Sequence, residues 1–214
     1  MLRFGLFLSF LAKPALACKL ALVLSMDVSS SIDSGEFDFQ RGGLADALLD
    51  PEIAHVLTRD QVALMVVQWS GIGEQTVALP WRRMLSAAEV RHFSERVRGM
   101  RRVFVNSKTA VGDALVFSMA QFPAVSDCQR KVIDVSGDGA SNAGVETSNQ
   151  SRRAAAQGIE INGIAIDIMG SAVTEFYRRF VTTPAGFVLT STGFSDYPRT
   201  IRAKILRELV QPGS

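Results

Sequence analysis

Two rhythms of apolar and polar positions alternate along the chain. Residues 20–26 (LALVLSM) form an aliphatic run too short to span a membrane, and it reads as a buried parallel strand. Further apolar runs at 61–69 (QVALMVVQW), 130–135 (RKVIDV), 160–166 (EINGIAI) and 187–190 predict more strands. Residues 75–81 (QTVALPW) predict a short strand that Pro80 confines to a sheet edge, where antiparallel pairing suits it. Between these runs, apolar residues recur at helical spacing. Helices are predicted over 34–49, 86–98, from just after Thr109 to about 122, and over 148–157, 173–180 and 196–210. Asp50-Pro51 stops the first, Ser86 with Glu89 has the spacing of a capping box, and Gly158 ends the fourth.

Strand and helix alternate throughout. This predicts an α/β fold with a doubly wound, Rossmann-like, mostly parallel six-stranded sheet and helices on both faces. If the strand order is 3-2-1-4-5-6, strands one and four are neighbours, and ligands bind at the carboxyl ends of that switch point. Asp27-Val28-Ser29-Ser30-Ser31 follows strand one directly, and Asp138-Gly139 follows strand four. A carboxylate and two hydroxyls on one short turn suit a hard cation such as Mg²⁺, which takes oxygen ligands. Ser and Asp are also the usual helix caps, and Thr109 stands where a cap would, so capping is the competing reading for each stretch.

The ends and the composition narrow the class. Residues 1–17 have a positive start at Arg3, an apolar stretch over 4–12 and an Ala15-Leu16-Ala17 cleavage site, the pattern of a secretory signal peptide cut before Cys18. A plain amino-terminal strand or helix is the alternative, and Lys13 departs from the pattern. Residues 18–214 are then a single domain in an exported protein, periplasmic or secreted. Arg3 and Lys13 are the only charged residues in the leader, so 23 basic residues become 21 and balance the 21 acids. That balance argues against a nucleic-acid partner. The arginine pairs at 82–83, 101–102, 152–153 and 178–179 are scattered and read as solvated faces. No apolar run reaches the roughly 20 residues of a transmembrane helix.

Other chemistries fit less well. An EF-hand-like start at Asp134 has Val145 where the bidentate Glu belongs. A phosphate-binding G-x-x-x-x-G-K loop is absent, and neither His55 nor His92 accompanies a G-x-S-x-G. Cys18 and Cys128 are the only cysteines. They precede Asp27 and Asp138 by similar intervals, so parallel neighbouring strands would bring them together at the far end of the sheet, within disulfide reach. Two free thiols, or an acylated Cys18, are the alternatives.

The residues now carry a resemblance. Asp27-x-Ser29-x-Ser31, Thr109 in a T-x-x-G-x-A-L context, and Asp138-Gly139 after a strand resemble the metal-ion-dependent adhesion site (MIDAS) of von Willebrand factor type A domains. The resemblance covers nearly all of residues 19–210. The stretches VIDVSGDGASNAG and GIEINGIAI are similar to an uncharacterised bacterial branch of exported proteins of this type. Gly137 stands where most of the superfamily has Thr or Ser. The resemblance implies that Ser29, Ser31 and Thr109 supply hydroxyls and that Asp27 and Asp138 supply charge, directly or through water. The cation would be Mg²⁺ (or Mn²⁺ or Ca²⁺), with one coordination position left for an Asp or Glu carboxylate of a protein partner. Ser30 and Asp33 lie off the pattern, as cap or supporting candidates. The implied function is non-enzymatic adhesion or scaffolding. A metal-assisted hydrolase at the same cation is the alternative, and it would need a general base beside the metal.

Overall fold

A computed structural model describes residues 18–210 apart from Asn106 and Met169; the predicted leader lies outside the described residues. The strands are β1 (Leu20–Asp27), β2 (Ala63–Trp69), β3 (Gln75–Arg83), β4 (Arg130–Gly137), β5 (Ile159–Ile166) and β6 (Val188–Ser191). The helices are α1 (Ser34–Leu48), α2 (Pro51–Arg59), α3 (Ala87–Arg98), α4 (Val111–Met119), α5 (Thr147–Ala156), α6 (Ala172–Phe176) and α7 (Tyr197–Val210). A π-helical turn, Tyr177–Val181, continues α6. The sheet order is β3-β2-β1-β4-β5-β6. Every neighbouring pair is parallel except β2 with β3. The expected doubly wound sheet, with its antiparallel edge strand, is therefore the observed one. Among the described residues no helix is long and apolar enough to cross a membrane.

Alternation along β1 divides the core. Leu20, Leu22, Leu24 and Met26 face α1, α3 and α7, while Ala21 and Val23 face α4, α5 and the π turn. All eight residues of β1 are buried, as a central strand covered on both faces requires. Asp27 falls on the α4 and α5 side by the same alternation.

One helix differs from expectation. Asp50-Pro51 ends α1 but also starts α2: Asp50 caps it through Glu52 and Ile53 N–H, and Pro51 takes the first turn, where its missing N–H costs nothing. Cys18 and Cys128 are joined in a disulfide with Cα atoms 4.5 Å apart.

Candidate metal centre

The chain turns as soon as β1 ends. Asp27 Oδ1 accepts the Ser29 N–H at 2.8 Å, so the carboxylate folds the turn that follows it. Backbone bonds pin that turn: Val28 N–H donates to the Trp69 carbonyl at 2.9 Å, and Ser30 N–H to the Ser107 carbonyl at 3.0 Å. Arg102 completes the clamp, donating to the carbonyls of Val28 at 3.0 Å and Ser29 at 2.6 Å. This corrects the reading of the arginine pairs as solvated faces at Arg102; Arg101, Arg152, Arg153, Arg178 and Arg179 are exposed as expected. Gln68, buried in β2, holds the Arg102 segment in turn by donating to the Arg101 carbonyl and accepting the Val103 N–H, both at 2.9 Å.

The five residues singled out in the sequence meet at the carboxyl ends of β1 and β4. The Thr109 hydroxyl donates to Ser29 Oγ at 3.3 Å, Ser29 Oγ and Ser31 Oγ are 3.3 Å apart, and the Ser31 hydroxyl donates to Asp138 Oδ1 at 2.7 Å. The capping alternative does not account for them. Helix α1 is capped by Asp33, in a capping box with Glu36. Helix α4 has Ala110 at its cap position and no side-chain capping bond, because the Thr109 hydroxyl turns to Ser29 instead.

Thr109 is positioned by residues the sequence reading passed over. Asn142 Oδ1 accepts the Thr109 N–H at 2.9 Å, Asn142 N–H donates to the Thr109 carbonyl at 2.9 Å, and the Ser141 hydroxyl donates to that carbonyl at 3.3 Å. Gly112 lets the loop after β4 approach so closely, since a Cβ there would stand 2.1 Å from the Val145 carbonyl oxygen. Gly144 has φ +81°, and its missing side chain leaves room for Asp113, which accepts the Val145 N–H at 2.7 Å. The polar cluster Ser141-Asn142 straight after Asp138-Gly139 is the signal that could have found this clamp.

The electrostatics fit a cation. Burial raises the Asp27 carboxyl to about 7; the Asp138 charge adds to this, while hydrogen bonds from Ser29 and the Arg102 charge oppose it. Burial also raises Asp138. Asp27 Oδ2 is buried without a hydrogen-bond partner. Two poorly hydrated carboxylates side by side favour protonation, and a divalent ion between them reverses that preference. Every donor here is oxygen, which suits Mg²⁺, Mn²⁺ or Ca²⁺. No group of three or more His, Cys, Asp or Glu that could hold a metal occurs among the described residues, so the hydroxyls must contribute to any donor set here. Asp134, the EF-hand alternative, is buried and ion-paired with Lys204 at 2.7 Å, so it is no loop ligand.

Comparison with solved structures identifies the architecture. Proximal thread matrix protein 1 from the mussel byssus, in a form with a zinc-occupied MIDAS motif, aligns with TM-score 0.67 and 16% identity, over 91% of this chain and 46% of that one. The pilus adhesin SpaC from Lactobacillus rhamnosus GG aligns with TM-score 0.67 and 12% identity, over 89% and 30%. A von Willebrand factor type A protein from Catenulispora acidiphila aligns with TM-score 0.61 and 17% identity, over 89% and 43%. The chain spans less than half the length of each. At these identities the likeness shows the fold, which is that of von Willebrand factor type A domains. No curated protein sequence matches the chain. One family model does, over residues 17–213, and the chain thereby belongs to the family described as "Protein of unknown function (DUF1194)".

Proposed function

We propose that this protein is a divalent-metal-dependent protein-binding module of the bacterial cell envelope, adhesive or scaffolding in kind. Asp27, Ser29, Ser31, Thr109 and Asp138 hold Mg²⁺ (or Mn²⁺ or Ca²⁺), and an Asp or Glu carboxylate of a partner completes the coordination. One observation carries the reading: oxygen groups from three loops, 107 residues apart at Ser31 and Asp138, meet at one point although none of them caps a helix. The zinc-occupied MIDAS of a protein with the same fold supports it. Neutral hydroxyls leave the cation electrophilic enough to attract one more carboxylate. The alternative hydrolase needs a free base, but Asp27 and Asp138 are committed to the cation, and His55 and His92 stand exposed on α2 and α3. Export to an oxidising compartment agrees with the disulfide and with the mussel-thread and pilus proteins of like fold.

The test uses wild type and Asp27→Ala, each with Mn²⁺ and with EDTA. Mn²⁺ binding is measured on the purified proteins, and partner capture is measured from envelope extract. Wild type alone, and only with Mn²⁺, is expected to capture. Equal capture in all four conditions would reject the reading.

A further inference from the structure

The unpartnered oxygen of Asp27 faces another unpartnered oxygen. The Tyr177 hydroxyl has no hydrogen-bond partner, and Tyr177 and Asp27 are both fully buried. The two oxygens border one small space, the one a side chain at position 137 would fill. A Cβ on Gly137 would stand 2.7 Å from Tyr177 Oη and 2.8 Å from Asp27 Oδ2. Gly137 is the last residue of β4, immediately before Asp138.

A second glycine completes the slot. Gly163 on β5 pairs with Val135 on β4, and Gly137 pairs with Ala165. A Cβ on Gly163 would stand 2.5 Å from Tyr177 Cδ1. Tyr177 therefore lies across two neighbouring strands, its ring over one glycine and its hydroxyl over the other. Strand-interior glycine weakens a sheet and often marks a close approach. Here both glycines admit the same side chain and lead its polar tip to the rear of the Asp27 carboxylate. Tyr177 also opens the π turn Tyr177–Val181, a rare geometry frequent at functional sites.

Left as they are, a buried hydroxyl and a buried carboxylate oxygen each keep the cost of lost hydration with no bond to offset it. A small side-chain movement within the slot pairs them. The Tyr177 O–H can only donate to this carboxylate, and a carboxylate held ionised by a cation is the better acceptor.

We propose that Tyr177 is a positioning residue of the metal centre: entering over Gly137, its hydroxyl donates to Asp27 Oδ2 and fixes the carboxylate, whose Oδ1 holds the Ser29 turn. The inference rests on the metal-binding reading above. It assigns Tyr177 no contact with the cation. Its effect comes through Asp27, in the way hydrogen bonds to a ligand from outside the coordination sphere tune metal sites.

The test is Mn²⁺ titration of purified wild type and Tyr177→Phe, with thermal unfolding of both in EDTA. Phe keeps the ring and removes only the hydroxyl. The expected result is a Mn²⁺ dissociation constant about 10- to 100-fold higher, with unfolding in EDTA not destabilised, because without the cation the lost hydroxyl has no partner. The chain contains only two tyrosines, Tyr177 and Tyr197, so a tyrosine absorbance change on adding Mn²⁺ to wild type should vanish in the variant. If wild type binds Mn²⁺ and Tyr177→Phe binds it equally well, this inference is wrong and the metal site stands. If wild type binds no divalent ion, both fall together.

Discussion

Replacing Glu208 by Gln should change how stability depends on pH. Glu208 on α7 is fully buried, and with Asp134 on β4 it shares a single cation, Lys204 Nζ. Glu160 on β5 lies near enough to act on it, and Arg130, which bonds Glu160 at 3.1 Å, donates to the Glu208 backbone carbonyl at 3.0 Å. Two carboxylates around one ammonium leave a net negative charge in a dry site. Burial first, then the Asp134 and Glu160 charges, raise Glu208 from 4.5 to about 7, against the opposing pull of Lys204. Below pH 4.5 the folded and unfolded chains both hold the proton, and the group is neutral to stability. Between there and about 7 the folded chain holds more protons than the unfolded one, so stability falls as pH rises. Above 7 the loss is complete and amounts to about 3 kcal/mol, at about 1.4 kcal/mol for each tenfold change in proton affinity.

Gln cannot titrate. Its amide N–H₂ replaces an Oε2 that has no partner, at a cost of about 1–3 kcal/mol that does not depend on pH. The informative quantity is therefore the difference between variant and wild type at two pH values. Urea unfolding at about pH 5 and about pH 8 should show Glu208→Gln gaining about 2–3 kcal/mol relative to wild type across that interval. Asp27 also titrates high, but it is present in both proteins and cancels; Asp134, raised by burial and sharing Lys204 with Glu208, does not, so the change belongs to the pair of carboxylates rather than to Glu208 alone. A difference that stays constant with pH would show that Glu208 is ionised throughout and that the triad is a settled ion network.

Two further outcomes follow from the framework of the site. Cys18→Ser with Cys128→Ser, opening a link between residues 110 apart, should lower stability by up to about 4–5 kcal/mol in urea unfolding; no loss would mean the bond contributes nothing. Arg102→Met removes the bonds to the Val28 and Ser29 carbonyls and should cost about 1–2 kcal/mol, together with weaker Mn²⁺ binding; unchanged Mn²⁺ binding would show that the Ser29 turn holds its shape without the clamp.

The strands were readable because both faces of this sheet are covered, so strand segments such as LALVL in β1 and ALMVV in β2 are continuous apolar runs. The D-x-S-x-S turn and Asp138-Gly139 were readable because each follows such a run directly. What escaped was held by single long-range contacts. Arg102 looks like any surface arginine until the Val28 and Ser29 carbonyls are beside it. Lys204 and Glu208 sit on a helix whose apolar face is legible, yet they point inward because Asp134 waits there. Helix α2 was missed for a local reason: Asp50-Pro51-Glu52 is a stop for the helix before it and a start for the one after. Tyr177 carries no motif, and its meaning depends on two glycines, 26 residues apart in the sequence, becoming neighbours in the sheet.

The register between β1 and β4 ties the two ends of the sheet together. Leu20 pairs with Arg130 and Met26 with Ser136, a constant offset that brings Asp27 level with Gly137. A slip of one residue would move Asp138 by about 3.3 Å and turn every side chain of β4 to the opposite face. The Ser31–Asp138 bond would break, Gly137 would no longer open the slot for Tyr177, and Asp134 would lose Lys204 for the other core. The disulfide spans 110 residues, which is the same offset as the ladder from Leu20–Arg130 to Met26–Ser136. It thus cross-links two residues in register, and a slipped pairing would stretch or break it. Gln129 N–H to the Cys18 carbonyl and Arg130 N–H to the Lys19 carbonyl carry the ladder down to that point. The bond lies at the amino ends of the strands and the oxygen cluster at their carboxyl ends. By holding the first pair in step, the bond excludes the slipped arrangements in which the five oxygen-bearing residues could not meet.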